Sequence, residues 1–126
     1  MLSLTLLVGI WSTTCMQMQT NTNQGFARES YTITQEGEFE FKREWFVDGV
    51  CSVSKDVESQ EGTLEVGRKL SGMFIMGDTY EVNFTESNGT DLGAIGISTR
   101  SIKVARGMKN STMRNTMVGI FEYIKK

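Results

Sequence analysis

No histidine occurs among the 126 residues of this chain. The commonest general base and zinc ligand are therefore missing, and with them the usual Ser-His-Asp and Cys-His arrangements. Two cysteines, Cys15 and Cys51, lack any metal-binding spacing. Two thiolates without histidine make a poor zinc site. They are either a disulfide or two buried thiols, and the disulfide is favoured because each ends a predicted strand. Glu36, Glu38, Glu40 and Glu44 alternate along one segment. A carboxylate pair there would suit glycoside hydrolysis, but a solvated strand face gives the same spacing. No phosphate-cradling glycine loop, nucleophile elbow or metal motif is present. The chain reads as a binding protein rather than an enzyme, with no cofactor and no metal.

What remains is a set of cations among aromatics. Phe39, Phe41 and Trp45 share one parity, and alternation places Arg43 with them. The same rule puts Lys55 between Val53 and Val57, and Arg68 after Leu64 and Val66. Cations on apolar faces are costly if buried unpaired. Two arrangements avoid that cost. Bulges or rim positions turn them to water, or they grip the acidic head of a ligand whose tail lies on the aromatics. Arg43 is also placed to stack on Phe41 or Trp45.

The elements that must position these residues are strands. Residues 38–47 alternate strictly, with Phe39, Phe41, Trp45 and Val47 on one face and Glu38, Glu40, Lys42 and Glu44 on the other. Asp48-Gly49 is a strong hairpin signal, followed by Cys51, Val53 and Val57 alternating with Ser52, Ser54, Asp56 and Glu58. Further strands are predicted from the first leucines onward, over 26–34, 63–70, 73–76 and 80–85, around Ile95–Ile97 and Ile102–Val104, and over 118–124. The polar stretch 17–25 is expected to be a mobile loop over one barrel end. Turns rest on Gly, Asn, Asp and Ser, because the chain has no proline. One all-β domain over 1–126 follows, an antiparallel barrel or sandwich. No stretch is long enough to span a membrane as an apolar helix. Residues 2–8 lack the basic start and cleavage site of a signal peptide, so the first strand is expected to begin at once.

Charge divides along the chain. Residues 1–90 hold six Lys/Arg and thirteen Asp/Glu, and residues 91–126 hold seven Lys/Arg and two Asp/Glu. Arg100, Lys103, Arg106 and Lys109 recur every three residues. On a helix they would form one stripe, in strands they would scatter, and a solvated face or an anionic, membrane-surface contact are both open. The net charge of −2 argues against nucleic acid as a partner. Seven methionines beyond Met1 suit either an adaptable pocket or an irregular core. Asn83-Phe84-Thr85, Asn88-Gly89-Thr90 and Asn110-Ser111-Thr112 match the N-glycosylation triplet, which chance largely explains in so Ser/Thr-rich a chain.

A resemblance sharpens the fold. Gly9-Ile10-Trp11-Ser12-Thr13-Thr14-Cys15, then Arg28-Glu29-Ser30-Tyr31-Thr32-Ile33, residues 37–41 and Phe46-Val47-Asp48-Gly49-Val50-Cys51 resemble small exported lipocalin-like barrels. They are more loosely similar to the domain of the adenomatosis polyposis coli down-regulated family. The resemblance covers about the first half of the chain. It implies an up-and-down lipocalin-like barrel of about eight strands, Cys15 bonded to Cys51, and an apolar or amphipathic ligand such as a fatty acid or lipid. Trp11 would close one end, and Phe39, Phe41, Trp45, Tyr80 and Phe84 would line the interior. Arg43 or Arg68 would meet an acidic head, and Arg114 is the nearest candidate for the family's closing arginine. The expected location is periplasmic, cell-surface or secreted. The competing reading is a protein-interaction or inhibitor module with a filled barrel, acting through its loops and the basic region 100–114.

Overall fold

A computed structural model describes residues 4–20, 23–70, 78–98, 100–108 and 121–126. A single 3-10 turn at Leu4–Leu7 leads into β1 (Gly9–Ser12), β2 (Met16–Gln19), β3 (Gln24–Ile33), β4 (Glu38–Phe46) and β5 (Ser54–Leu70). These are followed by β6 (Asp78–Glu86), β7 (Gly89–Ile97), β8 (Ser101–Met108) and β9 (Phe121–Lys125). Every pairing is antiparallel. The order runs β1-β9-β8-β7-β6-β5-β4-β3, and β1 pairs again with β3, so eight strands close into a barrel. The ninth, β2, lies beyond β1 along the same edge of β3. The predicted barrel is the observed one.

Period-two sequence makes the core. On β3, Ala27, Glu29, Tyr31 and Ile33 are buried, and they stand opposite Trp45, Arg43, Phe41 and Phe39 of β4. Opposed residues share a face, so this pair of strands supplies Tyr31, Ile33, Phe39 and Phe41 to the hydrophobic core. Tyr31 and Phe41 meet at 5.0 Å between ring centroids, and Phe39 packs edge-on to Phe84 at 5.3 Å. An eight-stranded barrel is narrow, wide enough for side chains to fill or for one small ligand. Gly62 and Gly93 are set by that tightness, since a Cβ on either would overlap a carbonyl oxygen, of Thr85 and of Ala105 respectively.

Several expectations change. Leu4–Leu7 form the 3-10 turn instead of a strand, and Leu7 is buried with its carbonyl accepting the Trp11 indole N–H at 2.8 Å. The stretch expected as a loop over a barrel end contributes β2, whose Met16 and Met18 stand opposite Ala27 and Gly25 of β3. Asp48-Gly49 is not a two-residue turn. The Asp48 carboxylate accepts the backbone N–H groups of Ser52 and Val53, Cys51 takes a positive φ of 54°, and Val47 N–H closes onto Val53 C=O. These bonds, the Ser52 hydroxyl foremost, hold the Asp48 carboxyl down at about 2. Beyond this loop and a bulge between Trp45 and Phe46, the register sets Val57 opposite Glu44 on the wet face of β4 and Glu58 opposite Arg43. Val53 and Val57 are therefore 55% and 52% exposed, while Glu58 turns toward Arg43 and Trp45. Residues 73–76, most of 118–124, Lys109, Asn110 and Arg114 lie outside the described residues.

Cys15 and Cys51 form a disulfide with Cα atoms 5.8 Å apart, tying the β1–β2 junction to the β4–β5 loop. The bond spans a sequence separation of 36. On the chain-entropy account, replacing both cysteines by serine is expected to lower unfolding free energy by about 4 kcal/mol, measured by urea denaturation. Gly62→Ala is expected to lower it by about 2–3 kcal/mol through overpacking against the Thr85 backbone.

Candidate functional site

Among the described residues two arginines reach the interior, and each bonds carboxylates. Arg43 stands opposite Glu29 on β3 and Glu58 on β5. Its Nη2 and Nε lie 2.7 and 2.8 Å from Glu29 Oε2, and Nη1 lies 3.5 Å from Glu58 Oε2. Glu29, 2% exposed, also accepts the Tyr123 hydroxyl at 2.6 Å through its other oxygen. Glu58 in turn accepts the Trp45 indole N–H at 2.7 Å. The Glu29 backbone N–H donates to Thr13 Oγ1, fixing the strand where β1 ends. Removing any one member would strand a buried polar group.

Arg106 forms the second centre. β8 points it into the barrel, where Nη2 bonds Glu86 and Asp91, each at 2.8 Å, and Nη1 reaches the Tyr31 hydroxyl at 3.4 Å. Its guanidinium lies 4.4 Å from the Phe84 centroid and 5.5 Å from that of Phe39, so it stacks on the aromatic core. The Tyr31 phenol is pushed up to about 12, chiefly by burial, with Arg106 pulling the other way. Burial raises Tyr123 as well, helped by Tyr31 and the Glu29 charge.

The expected ligand-lining residues can now be placed. Trp11, Phe39, Trp45 and Phe84 are 2%, 2%, 0% and 1% exposed. Phe41 is buried beneath the Arg43 guanidinium, 5.4 Å from its centroid, and Tyr80 packs half-buried at the edge of the core. Arg68 does not join them. A bulge between Val66 and Lys69 turns it outward to an exposed pair with Glu81 at 2.9 Å. Lys55 is also outside, bonded to Asn23. Among the described residues, Arg43 bonds Glu29 and Glu58 and Arg106 bonds Glu86 and Asp91; of these carboxylates only Glu29 is fully buried.

The basic series is split as strand geometry requires. Arg106 points inward, Lys103 lies opposite Gly96 and Glu122, and Arg100 is exposed at the β7–β8 turn. The three therefore do not form one basic surface. At the Trp11 end, the Lys125 ammonium lies 5.5 Å from the indole centroid, and a side chain on Gly9, whose φ is +139°, would crowd it. Glu29, Glu58, Tyr31, Tyr123 and Arg106 are the interior polar residues that motif reading missed. A signal for Glu29 existed, because it shares parity with Ala27, Tyr31 and Ile33 and is thus a carboxylate on an apolar face, as Arg43 is a cation on one.

No family model, no curated protein and no solved structure matches the chain.

Arg43→Met should destabilise the protein by about 3 kcal/mol, because it leaves Glu29 buried without its counter-ion. Arg68→Met should change stability by less than about 1 kcal/mol, because that guanidinium is in water. Urea denaturation at neutral pH separates the two. The raised Tyr31 value carries its own sign. A folded value of about 12 against an ordinary 10 gives stability fully present below pH 10, lost as pH rises towards 12. Phenolate absorbance from Tyr31 and Tyr123 should therefore appear together with loss of near-ultraviolet circular dichroism.

Proposed function

We propose that this chain is an exported interaction module that binds a partner protein through the tip of its β4–β5 hairpin, with the barrel serving as a filled scaffold. The observation that carries this reading is where apolar surface lies. The aromatic rings expected to receive a ligand pack on one another, whereas Val47, Val50, Val53 and Val57 are 65%, 75%, 55% and 52% exposed. Large exposed apolar side chains grouped in one hairpin mark a contact surface more often than chance placement does. The Cys15–Cys51 bond and the Asp48 cap hold this tip in one shape, which lowers the ordering cost of binding. A disulfide suits an oxidising compartment such as the periplasm, the cell surface or the extracellular space.

The tip also limits what it can bind. Glu44, Asp48 and Asp56 lie around the valines with Lys55, and Lys42 follows farther along β4. The fitting partner presents an apolar centre within a basic rim. The alternative reading, a carrier of an apolar or amphipathic molecule, draws on the resemblance to lipocalin-like barrels.

One pair of measurements separates these readings. Native mass spectrometry with organic extraction should return the bare polypeptide mass, two hydrogens light for the disulfide. A stoichiometric co-purifying lipid would instead establish the carrier. Val50→Asp combined with Val53→Asp should leave thermal stability within about 0.5 kcal/mol, as expected for exposed sites. The same variant should weaken binding of a purified partner at least tenfold. Unchanged affinity would remove the hairpin tip from the function.

A further inference from the structure

Away from the hairpin tip, the seam that closes the barrel opens into a groove. β1 pairs with β9 through only two residue pairs, Trp11 with Lys125 and Ser12 with Ile124. Beyond Ser12 the chain leaves β9 and follows β3, held by the bond from Thr13 N–H to Glu29 C=O. The parting strands leave a groove of about 400 Å³ on the barrel surface. Ser12, Thr13 and Thr14 form one wall, Arg28 another, and Ile124 to Lys126 the third.

We infer that this groove binds a phosphate or similar oxyanion group. Its charge is the first argument. Arg28, Lys125 and Lys126 line it, and among the described residues no Asp or Glu does, although the whole chain carries a net charge of −2. Lys125 turns its ammonium to the Trp11 ring, which leaves Arg28 and Lys126 facing the groove's solvent.

The state of Arg28 is the second argument. It stands directly opposite Glu44 in the β3–β4 register, where an ion pair would be the ordinary outcome. No ion pair forms between them, and the guanidinium instead lies 5.5 Å from the Phe46 centroid. Arg43, Arg68 and Arg106 each bond a carboxylate. Arg28 is thus half-buried, sits over an aromatic ring, and keeps its donors for another acceptor. A planar guanidinium so placed presents the fork that suits two oxygens of one oxyanion.

Hydroxyls complete the donor set. Thr13 Oγ1 accepts the Glu29 amide, which leaves its own proton to donate, and Thr14 is exposed beside it. Ile124, 42% exposed, forms the apolar flank, so a phosphate carried on an apolar body fits as well as a free one. Both sources share the same recognition chemistry.

The test uses the intact chain and inorganic phosphate, followed by two-dimensional amide NMR at constant ionic strength against chloride. Saturable shifts confined to the amides of Ser12, Thr13, Thr14 and residues 124–126 are expected. Arg28→Gln and Lys126→Gln should each weaken the response at least fivefold, and Arg68→Gln should leave it unchanged. Lys126→Gln keeps the test open if Arg28→Gln folds poorly, because the side chain at 126 is exposed. Shifts that are linear in phosphate, spread over the molecule, or undiminished in both groove variants would overturn the site. Phosphatidylcholine vesicles with and without phosphatidylglycerol then separate the sources. Retention on the anionic vesicles alone, displaced by phosphate and lost in the groove variants, assigns a lipid headgroup. Phosphate binding without vesicle retention assigns a free phosphate-bearing solute.

Discussion

Arg43 and Glu29 are neighbours across β3 and β4, and the architecture around them depends on their being satisfied together. Glu29 is almost wholly buried, so its charge needs both the guanidinium and the Tyr123 hydroxyl. Those partners come from strands that close the barrel from either side, β4 and β9. Glu58 extends the network to β5 and on to the Trp45 indole. A charge taken from water at this cost is held only when every member is in place. The network therefore acts as a register mark. A one-residue slip of β4 against β3 would move Arg43 to the outer face and leave Glu29 unpaired.

The same constraint shapes what the barrel offers to the outside. Among the described residues, the interior aromatics pack on one another, and Arg43 and Arg106 bond carboxylates. The two proposed recognition sites lie where the sheet is interrupted. One is the β4–β5 loop, where an Asp48 cap and a disulfide stiffen an apolar tip. The other is the short β1–β9 seam, where two strands part after two residue pairs. Loops and seams on a rigid scaffold are the usual sites of function because their side chains are not consumed by packing.

Both centres also show how an arginine's meaning changes with its neighbours. Arg43 and Arg106 are charges spent inside the fold, each bound to carboxylates and laid against a phenyl ring. Arg68 is a charge returned to water by a bulge. Arg28 is stacked but without an ion pair. The four have identical chemistry, and only burial and register separate a structural role from an available one.

Much of the fold was legible because its causes are local. Alternating Phe39, Phe41 and Trp45 against glutamates announces a strand with one wet face, and glycines with Asn and Asp announce the turns between strands. Histidine's absence narrows the chemistry without any structure. Cys15 and Cys51 were recognisable as a candidate pair, since each follows a strand. The partners of the interior cations were not legible. Glu29 lies fourteen residues from Arg43, and Glu58 fifteen, and pairing over that distance is set by register. The β4–β5 register shows this. It sets Glu58 opposite Arg43 and Val57 opposite Glu44, so Glu58 turns toward the arginine and Val57 faces water. Sequence period decides which residues share a face. Only the closed barrel decides which face is the inside, because that depends on hydrogen bonds between segments the period does not connect.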